Sequence, residues 1–369
     1  MGGRMSAPGY PFAVIPADVV SAGDYARHAE AMLDPRVWAY LDGGAGDEIT
    51  LRENLAAFEA LKMTPRVLAD VSGGHTRLTL AGEALAHPFI LAPVGWQKLF
   101  HPQGELASAQ AAGVMQAPLA VSCMATETVE AIAGQGGPVW FQIYMQATRA
   151  ATEALVRRAE AAGCRALLVT VDAPIGGIRN RAQRVGFSLP LGMVAANLPA
   201  EGAPPPLKAG ASAVFDGMMR AAPGWADIEW LTRLTRLPVF VKGILHADDA
   251  ERALSAGAAG IVVSNHGGRV LDTAPAAINA LPAIAARLNG AAPILFDSGV
   301  RRGSDAFKAI ALGADAVMIG RPYIWALSVA GALGVAHLLR TLREELEITM
   351  ALMGCRTLTD IRQASICHA

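Results

Sequence analysis

At its most informative point the chain reads Gly260-Ile261-Val262-Val263-Ser264-Asn265-His266-Gly267-Gly268-Arg269. The first four residues are apolar and mostly β-branched, which predicts a short buried strand. An imidazole suits proton transfer near neutral pH, and a guanidinium suits bidentate capture of a carboxylate. His266 and Arg269, three residues apart at a strand end, therefore suggest an enzyme that acts on a small organic acid. A structural histidine beside a surface arginine is the alternative interpretation.

Composition places the chain among globular proteins with a large core. Its 369 residues are 53% hydrophobic and carry a formal net charge of −1, so they offer no basic surface for nucleic acid. The four cysteines are too few and too scattered for a disulfide framework or a zinc site. We therefore expect no metal and a cytoplasmic location. Neither a transmembrane helix nor a signal peptide is expected, because no apolar run has the necessary length or position.

Beyond this stretch, apolar strand-like runs alternate with alanine-rich helical segments. The runs lie at residues 89–94, 119–123, 139–145, 166–172, 239–243, 260–266, 294–299 and 316–321. Strands that alternate with helices predict parallel β/α units, and eight units in about 250 residues fit an α/β fold of the TIM (β/α)8 barrel type. A doubly wound sheet is the main rival, but no Gly-x-Gly-x-x-Gly motif follows the first strand.

Two regions lie outside the regular alternation. Residues 1–85 are predicted to form an N-terminal helical cap that contains a glycine-rich turn at 43–46. The barrel is expected over residues 86–350, within a single domain that spans 1–369. Residues 180–225 form a long insertion after the fourth strand, and loops of that length are usually lids or disordered. We therefore expect a mobile lid over the barrel mouth.

The predicted strands end in polar or glycine residues, where TIM-barrel active sites lie. Segment 297–303 offers flexible backbone amides and two arginines before a helix, and Gly320-Arg321 adds another bare amide and another cation. Such features at strands seven and eight often bind phosphate, although ordinary turns with surface arginines are the alternative. Lys242 ends an apolar strand and needs an anionic partner there. It would stabilise charge on a reduced cofactor or form a Schiff base.

The chain resembles the FMN-dependent 2-hydroxy-acid oxidase and dehydrogenase family, which includes glycolate oxidase, lactate oxidase and mandelate dehydrogenase. The similarity runs from about Asp24 to Cys355, and segment 264–269 is its most specific motif. Supporting motifs are Phe141-Gln142-Ile143-Tyr144, Val241-Lys242-Gly243 and Gly299-Val300-Arg301-Arg302-Gly303. The resemblance implies FMN as the cofactor, a small 2-hydroxy acid as the substrate, dioxygen or an electron carrier as the second partner, and a homotetramer.

The resemblance also implies roles for individual residues on the substrate side. His266 would be the active-site base, and Asp172 would hydrogen-bond it and stabilise the imidazolium. Arg269 would clamp the substrate carboxylate, and Tyr144 would hydrogen-bond the substrate hydroxyl or the developing carbonyl. The residues implied to bind the substrate are Tyr25, Tyr144, Arg179, His266 and Arg269.

A second implied group would bind the cofactor. Lys242 would lie near N1 and O2 of the flavin and stabilise the reduced, anionic ring. The flavin would be lined by Pro93, Val94, Gly95, Ser122, Gln142, Thr170 and Ser264. The ribityl chain and phosphate would be held by Asp297, Ser298, Gly299, Val300, Arg301, Gly320 and Arg321.

The implied activity is oxidation of an L-2-hydroxy acid to the 2-oxo acid, with FMN reoxidised by dioxygen to give hydrogen peroxide. A lactate- or mandelate-type dehydrogenase that passes electrons to a quinone or another carrier, and a monooxygenase, are the alternatives. Gly95 stands where glycolate and lactate oxidases have alanine, which weakens a plain oxidase assignment. Met124 replaces a tryptophan of glycolate oxidase, and its flexible thioether could admit a bulkier substrate. A barrel that catalyses another reaction and a non-catalytic flavin-binding protein are the other classes.

Overall fold

The computed structural model describes residues 14–199, 207–208 and 210–368. The strands in chain order are β1 (Leu61–Thr64), β2 (Leu78–Leu80), β3 (Glu83–Leu85), β4 (Phe89–Leu91), β5 (Leu119–Ser122), β6 (Val139–Ile143), β7 (Leu167–Thr170), β8 (Val239–Ile244), β9 (Gly260–Val263), β10 (Ile294–Phe296), β11 (Ala316–Ile319) and β12 (Ser365–His368). Strands β4 to β11 form a closed barrel in which neighbours in the chain pair in parallel and β11 pairs with β4. The prediction of a TIM barrel is confirmed, and the open doubly wound sheet is excluded because the barrel has no sheet edge.

Helices surround the barrel and also build the cap. They are α1 (Ala22–Met32), α2 (Pro35–Asp42), α3 (Ile49–Ala60), α4 (Gly104–Met115), α5 (Val129–Ala133), α6 (Arg149–Ala161), α7 (Asn180–Arg184), α8 (Trp225–Leu234), α9 (Ala247–Ser255), α10 (Ala277–Leu288), α11 (Gly303–Ala311), α12 (Arg321–Met353) and α13 (Leu358–Ile361). Side-chain caps define several starts: Thr128 accepts a hydrogen bond from the Ala131 amide, and Thr148 accepts one from the Ala151 amide.

The inside of the barrel is filled at its N-terminal end. Trp140 and Phe240 are each the second residue of their strands, and their rings stack with centroids 5.2 Å apart. The hairpin of β2 and β3 packs into the same apolar cluster through Leu80 and Leu85. The C-terminal end is therefore left for the site, as the TIM-barrel prediction requires.

Helix α12 is long and apolar enough to cross a membrane by length and composition, but 78% of its most apolar window is buried. It packs against α1, α4 and α11, which is the environment of a core helix. Its backbone is not helical at Ala330 and Gly331, so the two halves meet at a kink. The first half begins at Arg321, which lies in the wall of the cavity described below.

The predicted cap and insertion are only partly covered by the described residues. Residues 1–13 of the cap lie outside them, while the rest forms α1 to α3, the hairpin of β2 and β3, and β1, which pairs antiparallel with the C-terminal β12. The insertion at 180–225 carries short helices, among them α7 and a π-helix at Ala213–Gly217. Positions 200–206 and 209 of the insertion also lie outside the described residues. The mobility expected of the insertion and the domain boundaries stay predictions.

Seven of the eight predicted barrel strands extend one to three residues too far at their C-terminal ends. The reason is visible in the backbone, since His266 (φ 59°) and Ser298 (φ 81°) have left-handed conformations that no strand accommodates. Arg321 was predicted to end a strand but instead begins α12. The chain thus leaves the ladder early and turns these side chains and amides toward the barrel mouth.

Candidate active site

A cavity of about 730 Å³ opens at the C-terminal ends of the barrel strands, within the usual size of ligand sites. Most of the residues predicted to form the site lie in its walls. They are Pro93, Val94, Gly95, Ser122, Gln142, Tyr144, Thr170, Arg179, Lys242, His266, Arg269, Asp297, Ser298, Gly299, Val300, Arg301, Gly320 and Arg321. Asp172, Ser264 and Tyr25 are not in the walls, and each has a different reason.

Asp172 lies behind the cavity as the partner of His266. Its Oδ1 is 3.0 Å from His266 Nδ1, and its Oδ2 is buried with no hydrogen-bond partner. Burial alone would raise the pKa of Asp172, but attraction to His266, the hydrogen bond to His266 and attraction to Lys242 together lower it. Asp172 is therefore an ionised acceptor, so Nδ1 of His266 carries the proton and donates it. In the neutral imidazole, that tautomer puts the lone pair on Nε2, which can then act as a base.

The approach of Asp172 requires a bare backbone on the neighbouring strand. Gly243 has a left-handed conformation (φ 108°), and a Cβ there would lie 2.5 Å from Cβ of Asp172. The register of β8 against β9 is also irregular between Lys242 and Ile244. A glycine at position 243 therefore allows the close approach of Asp172 to His266. From the sequence, Gly243 was noted only as part of the Val241-Lys242-Gly243 motif.

The loop that carries His266 is fixed from two sides. Asn265 exchanges side-chain hydrogen bonds with Asn54 of α3 at 2.8 and 2.9 Å. On the other side, Ser298 Oγ accepts hydrogen bonds from the amides of Asn265 and Gly267 at 3.3 and 3.0 Å. Because both anchors belong to other elements, the imidazole is held in place before any ligand arrives.

Lys242 has the anionic partner that its position requires. Its Nζ lies 2.7 Å from Asp297 Oδ2 and donates a 2.7 Å hydrogen bond to Ser264 Oγ. Because Nζ of Lys242 already contacts a carboxylate and a hydroxyl, these contacts fit charge stabilisation better than a Schiff base to a ligand. Ser264, which was predicted to line the cofactor, is not in the cavity wall, and that role stays a prediction. It is fully buried and accepts hydrogen bonds from Lys242 and the His266 amide, so it positions both.

Arg301 and Arg321 give one end of the cavity an unbalanced positive charge. Among the described residues, no carboxylate oxygen lies within 4.0 Å of a side-chain nitrogen of either arginine, so neither forms an ion pair. Arg321 donates only to the backbone carbonyls of Leu41, Gly43 and Gly267. The pKa of each arginine is lowered to about 10, chiefly by burial and, for Arg321, also by repulsion from Arg301. Cations destabilised in this way favour an anionic ligand such as a phosphate.

A second group of cations surrounds Tyr40, which the sequence analysis missed. The guanidinium carbons of Arg179 and Arg269 each lie 5.4 Å from the centroid of its ring. Arg269 Nη1 donates to the carbonyls of Leu41 and Gly43, and Nη2 donates to that of Tyr40. Burial lowers the pKa of Arg269 to about 9, with repulsion from Arg321 and Arg179. Nε and one Nη2 hydrogen remain for a ligand carboxylate.

Tyr25 was predicted to bind the substrate, and this was wrong. Its ring is 1% exposed and belongs to the face of α1 that packs against α12. The phenol oxygen lies 2.9 Å from His337 Nδ1, with which it forms a hydrogen bond. Tyr40 is the cap tyrosine that lines the cavity. Its position just before the glycine-rich turn at 43–46, whose carbonyls bind Arg269, is the signal that could have identified it.

Polar side chains also cross the floor of the cavity. Ser122 Oγ donates to Gln142 Oε1 at 3.1 Å, and Gln142 Nε2 donates to Thr170 Oγ1 at 3.0 Å, so one chain joins β5, β6 and β7. Tyr144 follows β6, and burial, with the nearby charge of Asp172, raises the pKa of its phenol. Tyr144 therefore stays protonated and can donate a hydrogen bond to a ligand.

Gly95 has a steric reason to be glycine. A Cβ there would lie 2.8 Å from Cβ of Met124 and 3.0 Å from its carbonyl oxygen. The same carbonyl accepts a hydrogen bond from the Trp96 amide at 3.1 Å, which holds the two segments together. The glycine is therefore explained by the approach of Met124, independently of which electron acceptor the protein uses.

Replacing Gly95 by alanine should destabilise the apoprotein by about 1–3 kcal/mol, because the segments must separate to admit the methyl group. Gly176→Ala is the matched control, since Gly176 also lines the cavity and a Cβ there meets no atom within 4 Å. Urea unfolding of the two variants measures the difference. Equal free energies of unfolding would contradict the close approach of Met124.

A closed (β/α)8 barrel whose C-terminal end carries a histidine–carboxylate pair and several buried arginines defines an enzyme for anionic ligands. The family model described as FMN-dependent dehydrogenase matches residues 29–368. The chain belongs to this FMN-dependent family. Arg301 and Arg321, which form no ion pair among the described residues, suit the phosphate of FMN.

Several characterised proteins are similar over nearly their whole length. An L-lactate oxidase of Alicycliphilus denitrificans is 50% identical over 350 residues, covering 94% of this chain and 96% of the relative. A 4-hydroxymandelate oxidase of Amycolatopsis orientalis is 44% identical and covers 93% and 97%. The crystal structure of a mandelate oxidase superposes with a TM-score of 0.88 at 42% identity, covering 95% of this chain and 99% of that one.

Adding FMN to the apoprotein should raise its unfolding temperature, because a ligand that binds only the folded state stabilises it. The gain is about 2.7 kcal/mol when free FMN is 100 times its Kd. Riboflavin at the same concentration should stabilise less, since it lacks the phosphate that offsets the repulsion between Arg301 and Arg321. Thermal scans with the two ligands make the comparison, and equal shifts would place the phosphate elsewhere.

Proposed function

We propose that this protein oxidises an L-2-hydroxy acid to the corresponding 2-oxo acid, with dioxygen as the final electron acceptor and hydrogen peroxide as the second product. The observation that carries the proposal is a base and a carboxylate clamp at one end of one cavity. Asp172 Oδ1 lies 3.0 Å from His266 Nδ1 and accepts its hydrogen bond, which in the neutral ring leaves Nε2 free to act as the base. Arg269 offers uncommitted N–H groups on the wall of the same cavity.

These residues divide the reaction among them. Arg269 binds the substrate carboxylate, with Arg179 and Tyr40 beside it. His266 Nε2 accepts a proton from the substrate, and Asp172 stabilises the imidazolium that results. Tyr144 donates its O–H to the substrate hydroxyl oxygen. FMN, when bound, would take up the two electrons and the second hydrogen that the substrate loses.

The remaining polar wall would hold the cofactor. The amine of Lys242 contacts Asp297 and Ser264 and lies in the cavity wall. There it would offset negative charge on the flavin ring. Arg301 and Arg321 would bind the phosphate, together with the glycine amides of the same two loops. Residues of the insertion, Leu198 and Pro223 among them, also line the cavity and would limit the access of water to it.

The test is anaerobic mixing of the FMN-loaded enzyme with lactate, glycolate, mandelate and a long-chain 2-hydroxy acid, followed by admission of air. Loss of the visible flavin absorbance identifies the substrate. In air, we expect the absorbance to return rapidly, with one hydrogen peroxide formed per 2-oxo acid. Slow return in air would instead indicate a dehydrogenase that needs a carrier. A decarboxylated acid in place of peroxide would indicate a monooxygenase, and no bleaching by any acid would overturn the proposal.

Two properties implied by the sequence stay predictions. The homotetramer would be measured by sedimentation of the FMN-loaded protein, and the cytoplasmic location by fractionation of the source cells. A monomer at micromolar concentration would contradict the first of these.

A further inference from the structure

Arg301 packs against Trp325, an aromatic residue to which the proposed function gives no role. Its guanidinium carbon lies 4.9 Å from the ring centroid of Trp325, in the first turns of α12. Trp325 is 4% exposed, and Trp38 of α2 packs on it with centroids 6.4 Å apart. Trp325 is not in the cavity wall, whereas Arg301 is. The indole therefore stands behind the cation, and Arg301 stands between the indole and the cavity.

The indole is an unexpected choice for this buried position. Its Nε1 is buried and has no hydrogen-bond partner, and an unmatched buried N–H is unfavourable. A phenylalanine would avoid that loss and still pack against Trp38. What tryptophan offers in exchange is the strongest cation–π partner among the aromatic side chains. The structure thus links the presence of the indole to the cation above it.

A cation–π partner leaves the charge of Arg301 available, which a carboxylate would not. Of its five N–H groups, only one on Nη1 donates to a described acceptor, the carbonyl of Val300 at 3.0 Å. Asp305 is nearby, but its Oδ2 accepts from the backbone amide of Arg301 and not from the guanidinium. Trp325 therefore supports the guanidinium group without neutralising its charge and without using its hydrogen-bond donors.

We propose that Trp325 is a positioning residue for the cofactor phosphate, which it serves by holding Arg301 in a charged, uncommitted state. This inference rests on FMN as the cofactor of the proposed function and not on which hydroxy acid is oxidised. It assigns part of the cofactor's affinity to a side chain that touches neither cofactor nor substrate.

The test compares the affinities of the apoprotein for FMN and for riboflavin, measured by quenching of flavin fluorescence. Trp325→Phe should weaken FMN binding about tenfold and leave riboflavin binding unchanged within about twofold. Thermal stability of the apoprotein should not fall, because the unmatched N–H is removed. Trp230→Phe is the matched control. The guanidinium carbon of Arg149 lies 5.2 Å from the ring centroid of Trp230, and neither residue lines the cavity. The FMN affinity of this control variant should equal that of the parent.

A double-mutant cycle separates positioning from packing. In an Arg301→Met background, Trp325→Phe should have no further effect on FMN affinity, because the cation it holds is gone. Equal losses for FMN and riboflavin, additive losses in the cycle, or unchanged FMN affinity would each overturn the inference. Failure of the proposed function would be seen separately, as FMN that binds normally but is not bleached by any 2-hydroxy acid.

Discussion

Replacing His266 by alanine is expected to slow substrate oxidation by about 10²–10⁴-fold, the range for loss of a positioned general base. FMN should stay bound, because the cations that fit its phosphate, Arg301 and Arg321, belong to other loops. Anaerobic stopped-flow absorbance measures the rate of bleaching directly, and the spectrum before mixing reports the bound cofactor. His246→Ala is the control, since His246 is exposed on the outer helix layer and should leave the rate unchanged.

The partner of His266 sharpens this prediction. Asp172→Asn keeps the shape of the side chain but removes the charge that selects the Nδ1–H tautomer, so a large rate loss is again expected. The pKa of Asp172 is lowered in the folded protein. Its contribution to stability should therefore be complete at neutral pH and be lost as the pH falls through that lowered value. Unimpaired bleaching in His266→Ala would remove this histidine from the mechanism.

Replacing Arg269 by lysine is expected to raise KM for the 2-hydroxy acid by about 10²–10³-fold. A lysine cannot reproduce the planar fork that binds a carboxylate with two N–H groups. It also cannot satisfy the three cap carbonyls, those of Tyr40, Leu41 and Gly43, that Arg269 binds at 2.8–2.9 Å. The cap turn should loosen as a result, and limited proteolysis would detect cleavage there.

Steady-state kinetics with a saturable substrate would measure this change. Arg340→Lys is the control, because Arg340 lies on the surface in an i,i+4 pair with Glu344 that contributes little. The effect should fall more on KM than on kcat, because the clamp acts on the substrate and on the reaction's transition state alike. A KM within threefold of the parent would show that the substrate carboxylate binds elsewhere.

Sequence patterns could predict the barrel because each strand and helix leaves a local signature. The runs at 239–243 and 260–266 are apolar, short and followed by polar residues, and their observed strands start at the predicted positions. The same patterns could not give the strand ends. A left-handed residue such as His266 or Ser298 resembles a strand residue in composition and differs only in its backbone angle.

Sequence patterns identified the cavity-lining residues that follow barrel strands. They did not identify the cap residue that lines the cavity. Tyr25 and Tyr40 are both tyrosines of predicted cap helices, and nothing local tells which one reaches the cavity. The choice depends on how α1 and α2 dock, since α1 turns Tyr25 toward α12 while the end of α2 turns Tyr40 toward the barrel mouth. Trp325 went unnoticed for the same reason, because its value lies in a contact with Arg301 from another unit of the barrel.

The sequence by itself determined the order of the β/α units, and with it which residues stand at the barrel mouth. This information is local, since apolar periodicity specifies each element and the elements of a parallel barrel place their C-terminal ends on one side. Only the tertiary structure decided the partners: His266 with Asp172, 94 positions apart, and Arg269 with Leu41, 228 apart. Such pairs form when the barrel closes and the cap docks. Both the entropy lost in bringing them together and the interaction energy gained depend on contacts that no single segment contains.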